Sequence, residues 1–443
     1  YTINFYYKNT DYILKTIKEL SNKTSKLDFK REKNEELSED KNKIIKNAFI
    51  DSSVAILTGS AGTGKTKLIK EFIKRNYNKK ILYLTTTNSV KNNIKSPESK
   101  NIIYLNTYEY LMKKRCYEFD LVIIDEASFI STKNFKSILE NNNEASFFIV
   151  GDPMQIQSIE FGNWFSLITE IFKNEPFVYN LSQNHRAECT ELQKVWDEVR
   201  NYSNDSKDDK VLEMLSAFNY SKRISDKIFM KKEDQVVLCM AYDGLYGINN
   251  MNKYLQPSSE NHYFYQQNTY CIGDPIIFIN NDYDYLGIYN NLKGKILDIE
   301  QSENKIMFKI EINKELNQFG LINSEISIGL ENKKSIVYIT KKLTLLEDYD
   351  EDSNKSSKLP FQLSYAMSIH KSQGLEFDSV KIIFPEDLEG KISKEIFYTA
   401  ITRARKNLEI FWNPEVCNKI LNNIKTEKKL FLLDVSIFKE KYK

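Results

Sequence analysis

The sequence has little of what marks several classes of protein. Glycine occurs 14 times and proline 8 times in 443 residues, which argues against a collagen-like or low-complexity chain. The five cysteines, Cys116, Cys189, Cys239, Cys271 and Cys417, are odd in number, widely spaced and lack a C-x-x-C pair. A disulfide scaffold or zinc ribbon is therefore not expected, and a reducing, cytoplasmic compartment is. The three histidines, His185, His262 and His370, lie too far apart to suggest a helix-borne metal pair. No run approaches 18 apolar residues, so no membrane span is expected, and no signal peptide is visible after Tyr1. An excess of one charge is also missing. Lys+Arg number 63 and Asp+Glu 61, a net charge of +2. The chain is thus no histone-like polycation, although a local basic groove stays open, because binding depends on where charges sit.

What is present is enough apolar sequence to build cores. Hydrophobic residues make up 41% and charged residues 28%, which excludes wholesale disorder. At roughly 100–200 residues per domain, the length predicts two to four domains. Residues 1–36 read as an amphipathic helix, with Ile13, Leu14, Ile17 and Leu20 on one face, followed by a charged linker. From residue 37 apolar strands at 54–58, 81–85, 121–125 and 147–151 alternate with helical patterns, the signature of a parallel sheet covered on both faces. A second α/β run is expected to begin near Phe177 and to resume after residue 346. Between them, residues 257–345 carry short β-like runs separated by Asn, Asp and Gly.

The strongest local signal is Gly59-Ser60-Ala61-Gly62-Thr63-Gly64-Lys65-Thr66, which follows an apolar strand and opens a helix. Backbone N–H groups can surround a phosphate only where side chains do not block them, hence the glycines. The helix N-terminus adds partial positive charge. Lys65 supplies a point charge to the β- and γ-phosphates, and the Thr66 hydroxyl can ligate Mg²⁺. A second requirement is a carboxylate at a neighbouring strand end, which Asp125 and Glu126 meet after four apolar residues. Asp125 is expected to hold Mg²⁺, and Glu126 to polarise the attacking water. The cofactors implied are ATP and Mg²⁺.

Further motifs resemble those of superfamily 1 DNA helicases, RecD/Dda-like branch. Asp125-Glu126-Ala127-Ser128 resembles their Walker B box. Gly151-Asp152-Pro153-Met154-Gln155-Ile156 is similar to motif III, where Gln155 would sense the γ-phosphate. Leu181-Ser182-Gln183-Asn184-His185-Arg186 resembles motif IV, with Arg186 as an arginine finger. The run from Leu363 to Asp378, containing Ser368-Ile369-His370-Lys371-Ser372-Gln373-Gly374, is close to motif V. Tyr398-Thr399-Ala400-Ile401-Thr402-Arg403 matches motif VI, with Arg403 as a second finger.

The resemblance implies two RecA-like parallel-sheet lobes with a small β-barrel insertion in the second. The first lobe would span 37–175, the second 176–256 and 346–443, and the insertion 257–345. ATP would lie between the lobes, with Gln373, Gly374 and Glu376 near the nucleotide. Thr87, Asn88, Thr107, Ser368 and His370 would grip single-stranded DNA. Trp164 and Phe161 would stack on a base or pack in the core. Movement 5′ to 3′ is implied, as is a possible protein partner such as a nuclease. The other reading is a slowly turning, ATP-gated DNA-binding switch. The sequence departs from the family at Lys41, where a Gln that reads adenine is expected, so loose base selectivity follows. The stretch from Thr107 to Asp120 is also short for a strand-separating hairpin.

Overall fold

The apolar runs that end in motif residues are strands. β1 (Val54–Gly59), β2 (Ile81–Thr85), β3 (Ile102–Asn106), β4 (Leu121–Ile124), β5 (Ser146–Gly151) and β6 (Val178–Leu181) form one parallel sheet of order β3-β2-β4-β5-β1-β6. The computed structural model describes residues 2–28, 30–86, 88–94, 101–113, 118–158, 160, 162–182, 189–201, 209–230, 235–257, 262–266, 268–280, 283–316, 320–323, 325–343 and 358–442. Every residue of β1, β2, β4 and β5 is buried, which is why these strands read as unbroken apolar runs. Alternate residues face opposite cores. Val54, Ile56, Val122, Ile124, Phe147 and Ile149 join one, while Ala55, Leu57, Ile123, Phe148 and Val150 join the other.

Helices cover both faces. α1 (Thr2–Ser21) buries the predicted stripe of Ile13, Leu14, Ile17 and Leu20 in the first core, beside Val435 and Phe438 of the C-terminal helix Pro414–Tyr442. The two helices are tied together here. Asp11 Oδ1 accepts from Lys441 Nζ and Tyr442 Oη, both at 2.6 Å, and Tyr7 stacks on Phe438 with ring centroids 4.9 Å apart. On the opposite face, α2 (Glu39–Asn47) contributes Ile44 and Ile45, and α3 (Lys65–Arg75) contributes Leu68, Ile69 and Phe72. The described part of the predicted linker is engaged, since Arg31 Nη1 donates to Ala48 O at 2.6 Å just after α2.

The chain divides into two compact units, Tyr1–Lys222 with Glu386–Leu408 and Trp412–Lys443, and Arg223–Pro385 with Glu409–Phe411. This redraws the boundaries expected above. Val178–Leu181, expected to open the second lobe, pairs with β1, Ile56 lying opposite Val178. Residues 386–408, expected with the second lobe, pack with the first unit.

The second unit holds a parallel set, with Gln235–Cys239 between Ala366–Ser368 and Phe377–Ile383. It also holds a seven-stranded antiparallel sheet built from Pro275–Phe278, Lys293–Gln301, Lys305–Ile312, Gly320–Leu321, Ile326–Glu331, Lys334–Lys342 and Phe361–Leu363. That sheet occupies the region where a small barrel was expected. It reaches past residue 345, because Phe361–Leu363 adds to its edge through Ile276 and Ile277. Among the described residues no helix is long and apolar enough to cross a membrane.

Candidate nucleotide site

Strand order brings the first motifs together. β4, β5 and β1 are parallel neighbours, with Thr58 opposite Gly151 and Ile124 opposite Ile149. The segments that follow them, at residues 59–66, 125–126 and 152–156, therefore leave the sheet along one edge, where ligands of open α/β sheets bind.

After β1 the loop turns at Gly62 and Gly64, both at φ +82°, a left-handed conformation that favours glycine. Lys65 Nζ donates to Gly59 O at 2.8 Å and Ser60 O at 3.1 Å, so the lysine folds back over its own loop. Thr63 Oγ1 donates to Ser60 O at 3.0 Å. Thr66 is exposed in the first turn of α3.

After β4, Asp125 is buried. Its Oδ2 accepts from Tyr83 Oη at 2.8 Å and its Oδ1 from Glu126 N at 2.9 Å. Burial, then the adjacent Glu126 charge, pushes the Asp125 carboxyl up. Glu126 takes φ +53°, uncommon for a residue with a side chain. Its Oε2 is buried without a hydrogen-bond partner among the described residues. Two abutting carboxylates, Asp125 buried and Glu126 half-buried with one orphaned oxygen, are hard oxygen donors suited to a divalent cation. Thr66 and Asp125 would hold Mg²⁺, which when bound offsets charge on the phosphates.

After β5, Gln155 is 4% exposed and Asp152 fully buried. Asp152 Oδ1 accepts from Met154 N and from Arg200 Nη1, both at 3.1 Å. Arg200, on the helix Thr190–Asn201, also donates to Tyr398 Oη at 3.2 Å. Tyr398 and Thr399 lie on the helix Lys394–Ile401, and Ile156 N donates to Thr399 Oγ1 at 3.0 Å. Lys394 Nζ donates to Arg200 O at 3.0 Å. Arg403 follows that helix, 1% exposed, with Nε donating to Thr399 O at 3.0 Å and Nη2 to Thr402 Oγ1 at 3.2 Å. The segment of Gln155 and the segment of Arg403 are thus bonded to each other within the first unit, rather than contributed by separate ones.

The remaining expected residues fall in three groups. Arg186, Thr87 and Phe161 lie outside the described residues. Asn88 and Thr107 are buried beside one another's strands, where Asn88 Oδ1 accepts from Asn106 Nδ2 at 2.9 Å and Thr107 Oγ1 donates to Thr85 O at 3.1 Å. In the second unit, His370 and Glu376 are exposed, while Ser368 Oγ accepts from Lys371 N at 3.1 Å. Gly374 takes φ +73°, and Gln373 Nε2 is buried without a hydrogen-bond partner among the described residues. The base-stacking role for Trp164 is corrected. Its ring lies on Phe135, centroids 3.5 Å apart, its Nε1 donates to Ile130 O at 2.6 Å, and only 1% of it is exposed.

Residues 36–225 match the family described as AAA domain, and residues 363–410 match the UvrD-like helicase C-terminal domain. The two matches follow one another in the order of the motifs. The chain belongs to the superfamily 1 helicases of the RecD/Pif1-like type. The helicase is 23% identical to the RecBCD enzyme subunit RecD of Buchnera aphidicola subsp. Acyrthosiphon pisum, across 96% of this chain and 83% of that one. Identity to the subunit of the same name from Buchnera aphidicola subsp. Schizaphis graminum is also 23%, across 84% and 72%. The fold is similar to that of Pif1 helicase from Candida albicans, with TM-score 0.53 and 16% identity over 89% of this chain and 98% of that one. It is also similar to Pif1 helicase from Bacteroides in complex with ADP-AlF3 and ssDNA, with TM-score 0.51 and 19% identity over 87% and 94%.

Sequence reasoning missed Arg200 in this helicase. A lone arginine near the end of an amphipathic helix reads as solvated, and nothing local marks its buried partner. Replacing Arg200 with Ala leaves the Asp152 carboxylate buried and unpaired. Arg200 is itself 21% exposed on its side chain, which places the expected loss near the lower end for broken buried pairs, about 3 kcal/mol. Urea unfolding checks this, and a loss under about 1 kcal/mol would make the pair a surface-like contact. Adding Asp152→Asn should recover part of the loss.

Proposed function

We propose that this helicase is an ATP-driven motor on single-stranded DNA, moving 5′ to 3′, cytoplasmic, and working with a protein partner. The observation that carries the reading is the bonded path from the phosphate-loop edge, through Asp152, Gln155 and Ile156, to the helix before Arg403. Lys65 places positive charge at the phosphates, Glu126 takes the proton of the attacking water, and Gln155 faces the reacting end. Arg403 and Arg186 serve as fingers on the transferring phosphoryl group. Arg403 is tied to its own helix by Thr399 and Thr402, so its delivery requires a change in that segment, a natural place to couple nucleotide state to movement. His370 and Ser368 hold DNA phosphates, a sequence-tolerant and salt-sensitive grip. Similarity to RecD and to a Pif1 crystallised with ssDNA supports the choice of substrate and of a partner. Glu126 beside Asp125 favours turnover over a slow switch.

Two measurements test this. Single-stranded DNA should stimulate phosphate release, and a fluorophore at the 3′ end of the track, not the 5′ end, should report arrival. Arrival at the 5′ end would reverse the polarity. Unwinding should be poor. The helix Thr107–Met112 starts in a capping box, Glu109 N donating to Asn106 Oδ1 at 2.8 Å and Asn106 N to Glu109 Oε2 at 2.9 Å, and β4 begins at Leu121. Little chain is left for a hairpin, which needs about ten residues. The isolated chain should translocate yet separate long 5′-tailed duplexes slowly. Fast, processive unwinding would locate a wedge elsewhere, the antiparallel sheet of the second unit being the first place to look.

A further inference from the structure

Lys41 is a cation in an unusual setting. It lies in the first turn of α2 and is only 5% exposed. Its Nζ sits 2.6 Å from where a Cβ on Gly64 would be, so the ammonium rests against the turn that delivers Lys65 and Thr66. It makes no hydrogen bond or salt bridge to any described residue. Among its charged neighbours only Asp40 favours its charge. Burial and then the Lys67 ammonium depress its pKa, with Asp40 opposing. Lys67 Nζ is itself occupied, donating to Glu36 O at 2.7 Å. An ammonium held out of water beside a second cation is unfavourable unless a ligand brings acceptors to it.

The position narrows what those acceptors are. In a phosphate loop the backbone N–H groups and the lysine take the phosphates, the lysine reaching the β- and γ-groups. The residues for the γ-phosphate end, Glu126 and Gln155, follow β4 and β5. Lys41 approaches from α2, on the sheet face shared with α3, and meets the loop at Gly64, the residue that precedes the helix. A nucleoside leaving the α-phosphate on that side would bring its base to this ammonium. A lysine has three donors and no acceptor. The edge of a 6-oxopurine offers O6 and N7, both acceptors, whereas adenine offers N7 and an N6 amino donor.

We propose that Lys41 reads the base, donating to O6 and N7 of a 6-oxopurine, so that this site accepts GTP and ITP at least as well as ATP. The proposal rests on residues 59–66 being the nucleotide site. It goes beyond loose selectivity, because a donor-only reader tilts the balance toward one purine class.

Equilibrium binding of ATP, GTP, ITP and inorganic tripolyphosphate to the full chain tests it, with wild type, Lys41→Gln and Lys41→Met. Glutamine offers one donor and one acceptor, matching adenine, so Lys41→Gln should shift the GTP:ATP and ITP:ATP affinity ratios toward ATP by about tenfold. Lys41→Met should erase the difference between purines and leave tripolyphosphate binding unchanged. A ratio that moves less than about threefold in Lys41→Gln overturns the proposal. So does Lys41→Met weakening all four ligands alike, which would assign the ammonium to phosphate. If Lys41→Met fails to fold, the Lys41→Gln ratio decides alone. Lys65→Ala separates the two levels, because unchanged binding of every ligand by that variant would mean that the site itself is misplaced.

Discussion

Lys65→Ala should abolish ATP hydrolysis in the presence of saturating single-stranded DNA while leaving the protein folded. The lysine is only partly buried and belongs to neither core, and its visible bonds go to Gly59 O and Ser60 O of its own loop. Removing it creates no cavity, so the urea midpoint should stay close to wild type. What is lost is a full positive charge at the phosphates during transfer. One preorganised donor at developing charge is worth about 10²–10³ in rate, and a charged one more. Phosphate release reads this directly. Hydrolysis within tenfold of wild type would mean that the loop does not hold the reacting phosphates.

Glu126→Gln should bind ATP and hydrolyse it about 10²–10⁴-fold more slowly, the range for loss of a positioned general base. The shape is kept and the proton acceptor removed, so the variant should accumulate in its nucleotide-bound form on DNA. The same substitution makes a second, independent prediction about stability. Burial and the Glu126 charge raise Asp125 from 3.8 to about 7 in the folded chain. Between those values the folded state holds a proton that the unfolded state has released, so stability falls as pH rises through that window. Neutralising residue 126 removes one cause of the shift. The variant should therefore lose less stability than wild type between pH 5 and pH 8 as the proton leaves, a comparison made by urea unfolding at both ends. Equal pH dependence in the two proteins would show that Glu126 does not act on Asp125.

Much of the first unit was legible because its information is local. Unbroken apolar runs followed by glycine or acid located β1, β2, β4 and β5 and the residues they deliver. Lys65, Thr66, Asp125, Glu126 and Gln155 come from segments leaving adjacent strand ends, as the motif order implies. The failures share a cause, since each needed a partner that sequence does not name. Val178–Leu181 is a credible strand in any sheet, and only pairing with β1 assigns it to the first. Trp164 reads as a base platform or a core residue until Phe135 covers its ring. Arg200 becomes informative only once Asp152 and Tyr398 are beside it. Lys41 was conspicuous as a departure, but its burial against Gly64 is what gives the departure a chemical meaning.

The clasp of α1 by the C-terminal helix has a consequence for how the protein is made. Asp11 meets Lys441 and Tyr442, and Tyr7 meets Phe438. A ribosome emits α1 well before the helix Pro414–Tyr442 that closes over part of it. Until that helix emerges, the core that holds Ile13, Leu14 and Ile17 lacks Val435 and Phe438. The segment Arg223–Pro385, contiguous apart from the short Glu409–Phe411, can collapse while the older half still waits. Order of birth and order of completion are thus inverted. The nascent first unit therefore keeps part of its apolar surface uncovered until that helix arrives, a state in which chaperone capture or aggregation competes with folding.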